Sequence, residues 1–115
     1  MAGEQKDRFA CKCCSRNIID PRVVTLHRAI EMDVLESITV NSGCRCERYN
    51  KKIGGSPTSS HLRGLAWDVD CDGSTMRYRI LNAAIKLGID RIGIGKGYLH
   101  LDIDRQKDRR VIWLY

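Results

Sequence analysis

The chain has 115 residues, a formal net charge of +6 and 43% hydrophobic residues, which is the size and apolar content of one domain able to bury its own core. No apolar run approaches the ~18 residues of a membrane span, so a helical membrane protein is excluded. A basic balance favours acidic partners such as nucleic acid, an anionic cell wall or a membrane surface. Aromatic residues are only 6% of the chain and are not interleaved with basic ones as a single-strand stacking platform requires, so nucleic acid is not the expected partner.

The opening stretch, MAGEQKDRFACKCC, lacks the apolar core of a secretion signal. The expectation is a protein that is cytoplasmic as synthesised, whose six cysteines are thiols or metal ligands rather than disulfides. Asp20-Pro21 sets a capping residue before a proline suited to the first helical position. Val23, Val24, Leu26, Ala29, Ile30 and Val34 follow at helical spacing, which predicts a helix of about four turns. Ile38-Thr39-Val40 predicts a short strand. It runs into NSGCRCERYNKKIGGSPTSSH, a loop of roughly twenty residues, and long ordered loops in compact domains tend to carry function.

Leu65 to Val69 reads as a strand and Asp72-Gly73 as the turn that leaves it. Ser74 is suited to cap a second helix whose buried face is Met76, Ile80, Leu81, Ala84, Ile85 and Leu87, with Gly88 as its stop. Three strands close the chain, at Arg91 to Ile94, Tyr98 to Ile103 and Arg110 to Leu114, with Lys96-Gly97 as a hairpin turn between the first two. Two helices followed by bunched strands predict an α+β fold, helices packed on a small antiparallel sheet, in a single domain spanning 1–115.

The chain has three histidines, and one of them stands in SSHLRGLAWDVD, seven positions before Asp68. Seven residues cover about 10.5 Å of helix or about 23 Å of strand, so His61 and Asp68 share a partner only if the chain folds back between them. Gly64 has the backbone freedom for that reversal, and Ala66 allows close packing beside it. Zinc accepts imidazole nitrogen and carboxylate oxygen and takes three protein ligands in catalytic sites. The third is expected from His100, since alternation along 98–104 puts Tyr98, His100, Asp102 and Asp104 on one face and Leu99, Leu101 and Ile103 in the core. The other reading of His61 and Asp68 is a hydrogen-bonded structural pair. His27 is expected at the surface or in helix packing.

Ser59 through Asp68 fits S-x-H-x-x-G-x-A-x-D and so resembles the zinc signature of the D-Ala-D-Ala carboxypeptidase and murein endopeptidase superfamily, which also contains hedgehog signalling domains. Ser42-Gly43-Cys44-Arg45, Asn50 and Gly54-Gly55 are similar to that family's SGYR, N and GG segment. Gly93-Ile94-Gly95, Leu99-His100-Leu101-Asp102 and Arg110 through Trp113 are similar to its closing elements, so the likeness runs from Phe9 to Trp113.

The resemblance implies that His61, Asp68 and His100 hold one catalytic zinc, whose bound water attacks a peptide carbonyl. It implies that Arg45 steadies the developing oxyanion or a substrate carboxylate, and that Ser59 lies near substrate. Many relatives carry an acid three residues before the last zinc histidine, or a second histidine two before it. Gly97 and Tyr98 stand there here, so proton transfer is expected from Asp102 or Tyr98, or from a group brought in by the loop. The implied protein is a zinc metallopeptidase acting on peptidoglycan stem peptides or cross-links, as carboxypeptidase or endopeptidase. It would be a monomer, of the kind a phage endolysin represents, reaching the wall after release from the cytoplasm. The alternative is a non-catalytic zinc-containing relative that binds wall or a protein partner.

Cys11-x-Cys13-Cys14 and Cys44-x-Cys46 have the ligand type of a thiolate zinc site. Their spacing is read as differing from the C-x-x-C of zinc ribbons, so a second, structural zinc is not expected and buried thiols packing the N-terminal segment on the loop are.

Overall fold

The computed structural model describes residues 6–115. Its elements are α1 (Pro21–Val34), β1 (Val40–Ser42), α2 (Glu47–Lys52), a 3-10 turn (Ser60–Arg63), β2 (Ala66–Asp70), α3 (Ser74–Lys86), β3 (Arg91–Gly95), β4 (Tyr98–Asp102) and β5 (Val111–Leu114). The strands form one five-stranded sheet in the order β1-β2-β4-β3-β5. Neighbours run antiparallel except β3 and β5, which are parallel. The expected antiparallel sheet is therefore a mixed one. The cause is spatial: β4 already has β2 on one side and β3 on the other. The chain leaving β4 at the end where β3 begins finds the nearer free edge beyond β3, and entering from that end it runs alongside β3 in the same direction.

Alternation gives the sheet two unlike faces. Trp67 and Val69 on β2, Leu99 and Leu101 on β4 and Ile92 on β3 join Val23, Ile30 and Val34 of α1 and Ile80, Ala83 and Ala84 of α3 in one buried cluster. Full burial of side chains of this size contributes roughly 1.5–3 kcal/mol each. Helix α1 starts as expected: Asp20 is the N-cap, its carboxylate accepts the Arg22 N–H, and Pro21 is the first helical residue. Helix α3 differs. Gly73 occupies the cap position and makes no side-chain cap bond, with Ser74 already helical. Its buried stripe is Ile80, Ala83 and Ala84, whereas Ile85 and Leu87 are 57% and 39% exposed. A stripe at i, i+3 and i+4 covers only part of a helix, and Ile85 lies a further 100° around it.

The first strand lies two residues later than its β-branched residues suggest, because pairing to β2 sets it: Val40 faces Val69 and Ser42 faces Asp68, with an irregularity between. The long loop is not structureless, since it contains α2 and the 3-10 turn. His27 is fully buried and packs α1 against the sheet. Its Nδ1 accepts the indole N–H of the buried Trp67 at 3.1 Å, and its Nε2 lies 3.0 Å from the Ile38 carbonyl, to which it donates.

One ion pair fastens the N-terminal segment to α1. Arg8 meets both carboxylate oxygens of Glu31, at 3.1 and 3.2 Å, and the Ile38 N–H donates to the same group at 2.7 Å. Burial by itself would raise the Glu31 pKa, but these donors outweigh it and lower it from 4.5 to about 2. A carboxylate depressed by folding stabilises fully above its unfolded pKa, and the contribution is lost as pH falls from about 4.5 toward about 2. Glu31→Gln is expected to reduce stability at neutral pH by up to about 3 kcal/mol and to flatten the acid limb in that window, read by urea unfolding across a pH series.

Candidate metal centre

The reversal between His61 and Asp68 is built from short local devices. Ser59 caps the 3-10 turn, its Oγ accepting the His61 N–H at 3.2 Å. Gly64 ends the turn in the left-handed region at φ 70° and sends the chain into β2. A Cβ at Gly64 would stand 2.3 Å from the Ile18 carbonyl oxygen, so this position excludes any side chain on two grounds. Asp68, in the middle of β2, then lies directly opposite His100 on β4. Two ligand types distant in the sequence thus become cross-strand neighbours.

One donor atom from each of His61, Asp68 and His100 lies within 4.8 Å of the other two, and all three residues are buried. His61 Nδ1 lies 2.7 Å from the Gly43 carbonyl oxygen. A carbonyl only accepts, so Nδ1 carries the proton and Nε2 presents a lone pair. That Nε2 is buried without a hydrogen-bond partner, although it stands 3.3 Å from Asp68 Oδ1. His100 turns Nδ1 to Asp68 Oδ1 at 3.1 Å and Nε2 to Asp102 Oδ2 at 3.0 Å.

Burial would raise Asp68, but the adjoining imidazoles, His100 first and then His61, outweigh it and hold the carboxyl well below the usual range. Burial lowers His61. It would lower His100 as well, but the carboxylates of Asp102 and Asp68 on either side raise it. Two imidazole nitrogens and one carboxylate oxygen converge, one of them a buried nitrogen with nothing to bond. That donor set fits zinc.

A surrounding layer holds these groups. Arg45 directs Nη2 to Asp68 Oδ2 at 3.2 Å, Nη1 to Asn50 Oδ1 at 3.2 Å and Nε to Ser42 Oγ at 3.1 Å. Asn50 is in turn fixed by donating to the Ser56 carbonyl at 2.7 Å. A Cβ at Gly55 would collide with the Asn50 side chain at 2.0 Å, which explains the second glycine of Gly54-Gly55. Behind His100, Asp102 accepts from Arg91 Nε at 2.9 Å and from the Asp104 N–H at 2.9 Å. Burial works against ionised Asp102, yet His100, the Asp104 N–H and Arg91 keep its pKa low.

The site opens into a cleft of about 360 Å³. Its wall is aromatic: Trp113 and Tyr115 have ring centroids 5.4 and 6.3 Å from that of His100, and Tyr98 lies 5.6 Å from Tyr115. Glycines on β3 make the space. A Cβ at Gly93 would lie 2.6 Å from the Tyr115 ring and 2.7 Å from that of Trp113, and one at Gly95 would lie 2.1 Å from Tyr98. Arg45, Ser59, Tyr98 and Asp102 all line this cleft with His61, Asp68 and His100. Arg91 carries no motif signal for its role, whereas Gly43 and Asn50 fall within the family-like segment, which marks their positions without showing what they hold. The glycine alternation of Gly93-Ile94-Gly95 is the one local mark of an aromatic wall.

An α+β fold with two imidazoles and a carboxylate meeting at the base of an open cleft defines a metal-dependent hydrolase. The model of the Peptidase M15 family matches residues 6–104, and the chain belongs to that family, zinc-dependent metallopeptidases of the peptidoglycan-hydrolase kind. A search of curated proteins finds no match. Among the described residues no helix is long and apolar enough to cross a membrane.

Gly64→Ala combines left-handed strain with a backbone clash, and is expected to destabilise by more than about 2 kcal/mol. Because the turn carries His61, zinc content at fixed free zinc should fall with it. Thermal unfolding and elemental metal analysis of the same preparation check both.

Proposed function

We propose that the chain is a peptidoglycan peptidase that hydrolyses peptide bonds of stem peptides or their cross-links, as a D-Ala-D-Ala carboxypeptidase or murein endopeptidase of the phage endolysin kind. The observation that carries this reading is the buried, unbonded Nε2 of His61 in a set whose ligand atoms, with those of Asp68 and His100, lie within 4.8 Å of one another at a cleft of about 360 Å³. Zinc held by these three residues supplies Lewis acidity and brings the pKa of a water molecule toward neutrality.

The remaining groups have separable tasks. Arg45 has five N–H donors and commits three of them to Ser42, Asn50 and Asp68. The others serve a developing oxyanion or a terminal carboxylate of substrate. Ser59 holds the His61 turn and offers its hydroxyl at the cleft edge. Burial raises the Tyr98 pKa, so its hydroxyl keeps the proton and can donate it. The aromatic wall excludes water on one side and suits the methyl groups of alanine-containing peptides. Asp102, enclosed by His100, Arg91 and the Asp104 N–H, orients His100 and makes its Nδ1 a better donor.

A second reading, a non-catalytic zinc-containing relative, is favoured by one observation. Among the described residues lining the cleft, the carboxylates are Asp68 and Asp102, and both are already engaged. Incubation of the purified protein with muropeptides, followed by product masses, separates the two readings. Zinc-dependent release of D-alanine or of uncrosslinked stems is expected. Failure to cleave any wall peptide, with zinc bound at His61, Asp68 and His100, would select the non-catalytic reading.

Asp102→Asn distinguishes orientation from proton transfer. Zinc affinity is expected to fall about 10–100-fold, with much of the rate recovered at saturating zinc. Unchanged zinc affinity with collapsed turnover would instead make Asp102 the proton carrier. Tyr98→Phe, which retains the ring, is expected to lower kcat with little change in zinc content.

A further inference from the structure

The cysteines divide by environment. Cys44 is a packed thiol whose Sγ accepts the Ile18 N–H at 3.2 Å, and burial pushes its pKa up. Cys71 is likewise buried in the core and raised by burial. Cys11, Cys14 and Cys46 behave differently. One Sγ from each lies within 4.8 Å of the other two, and all three are free thiols.

Backbone N–H groups converge on the sulfurs at this spot. The Cys46 N–H points to Cys11 Sγ at 3.4 Å, and the Tyr49 N–H to Cys46 Sγ at 3.4 Å. The local turn is closed by the Ser15 N–H on the Cys11 carbonyl at 3.0 Å and the Cys11 N–H on the Arg16 carbonyl at 2.8 Å. Ser15 takes φ 63° to allow it. Cys11 and Cys14 do stand at C-x-x-C spacing, which corrects the expectation that this spacing is missing: the intervening Cys13 masks the pair in the sequence, and the fold brings the two together with Cys46.

We propose that Cys11, Cys14 and Cys46 hold a second zinc ion, chemically distinct from the one assigned to His61, Asp68 and His100. Three thiolates are soft ligands of the type zinc takes in structural sites, and they leave one coordination position for solvent or for the exposed Cys13. The ion clips the N-terminal segment to the 43–46 stretch. These segments already touch: the Cys44 N–H donates to the Phe9 carbonyl at 2.7 Å, and a Cβ on Gly43 would stand 2.4 Å from that carbonyl oxygen. The same stretch supplies the Gly43 carbonyl that fixes His61 and the Arg45 guanidinium that fixes Asp68. The clip therefore holds the backbone on which two groups of the hydrolytic centre depend.

The test uses the full chain, purified under reducing conditions and loaded with cobalt(II) in place of zinc. The His-Asp-His set contains no sulfur, so a near-ultraviolet thiolate-to-cobalt charge-transfer band reports the cysteine cluster alone. The wild type is expected to show this band and to bind about two metal ions per chain. The band should survive in the His61→Ala, His100→Ala double variant and fall sharply in Cys14→Ser, whose exposed position limits harm to folding. Alkylation of Cys14 in the native protein should be roughly tenfold slower with zinc than after chelation. The proposal is overturned if the wild type lacks the band, if Cys14→Ser leaves it unchanged, or if Cys14 alkylates equally fast with and without zinc. A Cys11–Cys14 disulfide that persists in reductant would also overturn it. Loss of metal at His61 and His100 with the band intact would count against the hydrolytic reading and leave the thiolate site standing.

Discussion

The pairing of Asp68 with His100 across β2 and β4 is the constraint on which the rest of the molecule depends. It continues as a single row over the sheet: Ser42 faces Asp68 on one side, Gly93 faces His100 on the other, and Trp113 faces Gly93. Each strand contributes one residue to that row. A slip of one residue in β2, β3, β4 or β5 would send its contribution to the opposite face and bring an apolar side chain in its place. The register is held because Trp67, Leu99, Leu101 and Ile92 fill the helix-covered face, so core and site lock one another in place.

Buried charge around the centre is balanced locally. Asp68 is paired with Arg45 and Asp102 with Arg91, and all four side chains are largely withdrawn from solvent. Arg91 and Asp102 are themselves opposite one another in the β3–β4 ladder, one row below the histidine. An isolated carboxylate in such surroundings would take up a proton. Guanidinium partners keep it ionised and available as a ligand or as a hydrogen-bond acceptor for a ligand. The imidazoles are fixed in the same manner, His61 by a carbonyl that dictates its tautomer and His100 by a carboxylate. Most of the ordering of the site is thereby complete in the protein itself, the condition under which a bound ion and substrate meet preset partners.

The N-terminal segment contributes more than its irregular backbone suggests. Arg8 reaches Glu31 on α1, Phe9 packs edge-on to His27 with ring centroids 5.6 Å apart, and its carbonyl ties down Cys44. His27 then satisfies the indole of Trp67, whose neighbour along β2 is Asp68. A continuous set of contacts thus links residues 8–11 to both the apolar layer and the residues flanking Arg45. The short stretch 43–46 is where these supports meet.

Local sequence was sufficient for much of this. Asp20-Pro21 marks a helix start because capping and a fixed φ are properties of two adjacent residues. Gly64 marks a reversal because only a residue without Cβ fits it, and the His61, Asp68 and His100 set is legible because zinc demands particular donor types. What local sequence did not contain is pairing. The position of β1, the parallel placement of β5, the burial of Ala83 in preference to Ile85 and the engagement of Asp102 by Arg91 each depend on which neighbour arrives across space. Cys14 and Cys46 likewise sit 32 positions apart in the chain, and only the folded loop brings their sulfurs together. Residue chemistry alone determined which groups were able to bind a metal; the strand ladders and the loop that packs on the N-terminal segment decided which of them converge, because convergence is set by long-range backbone hydrogen bonds and burial.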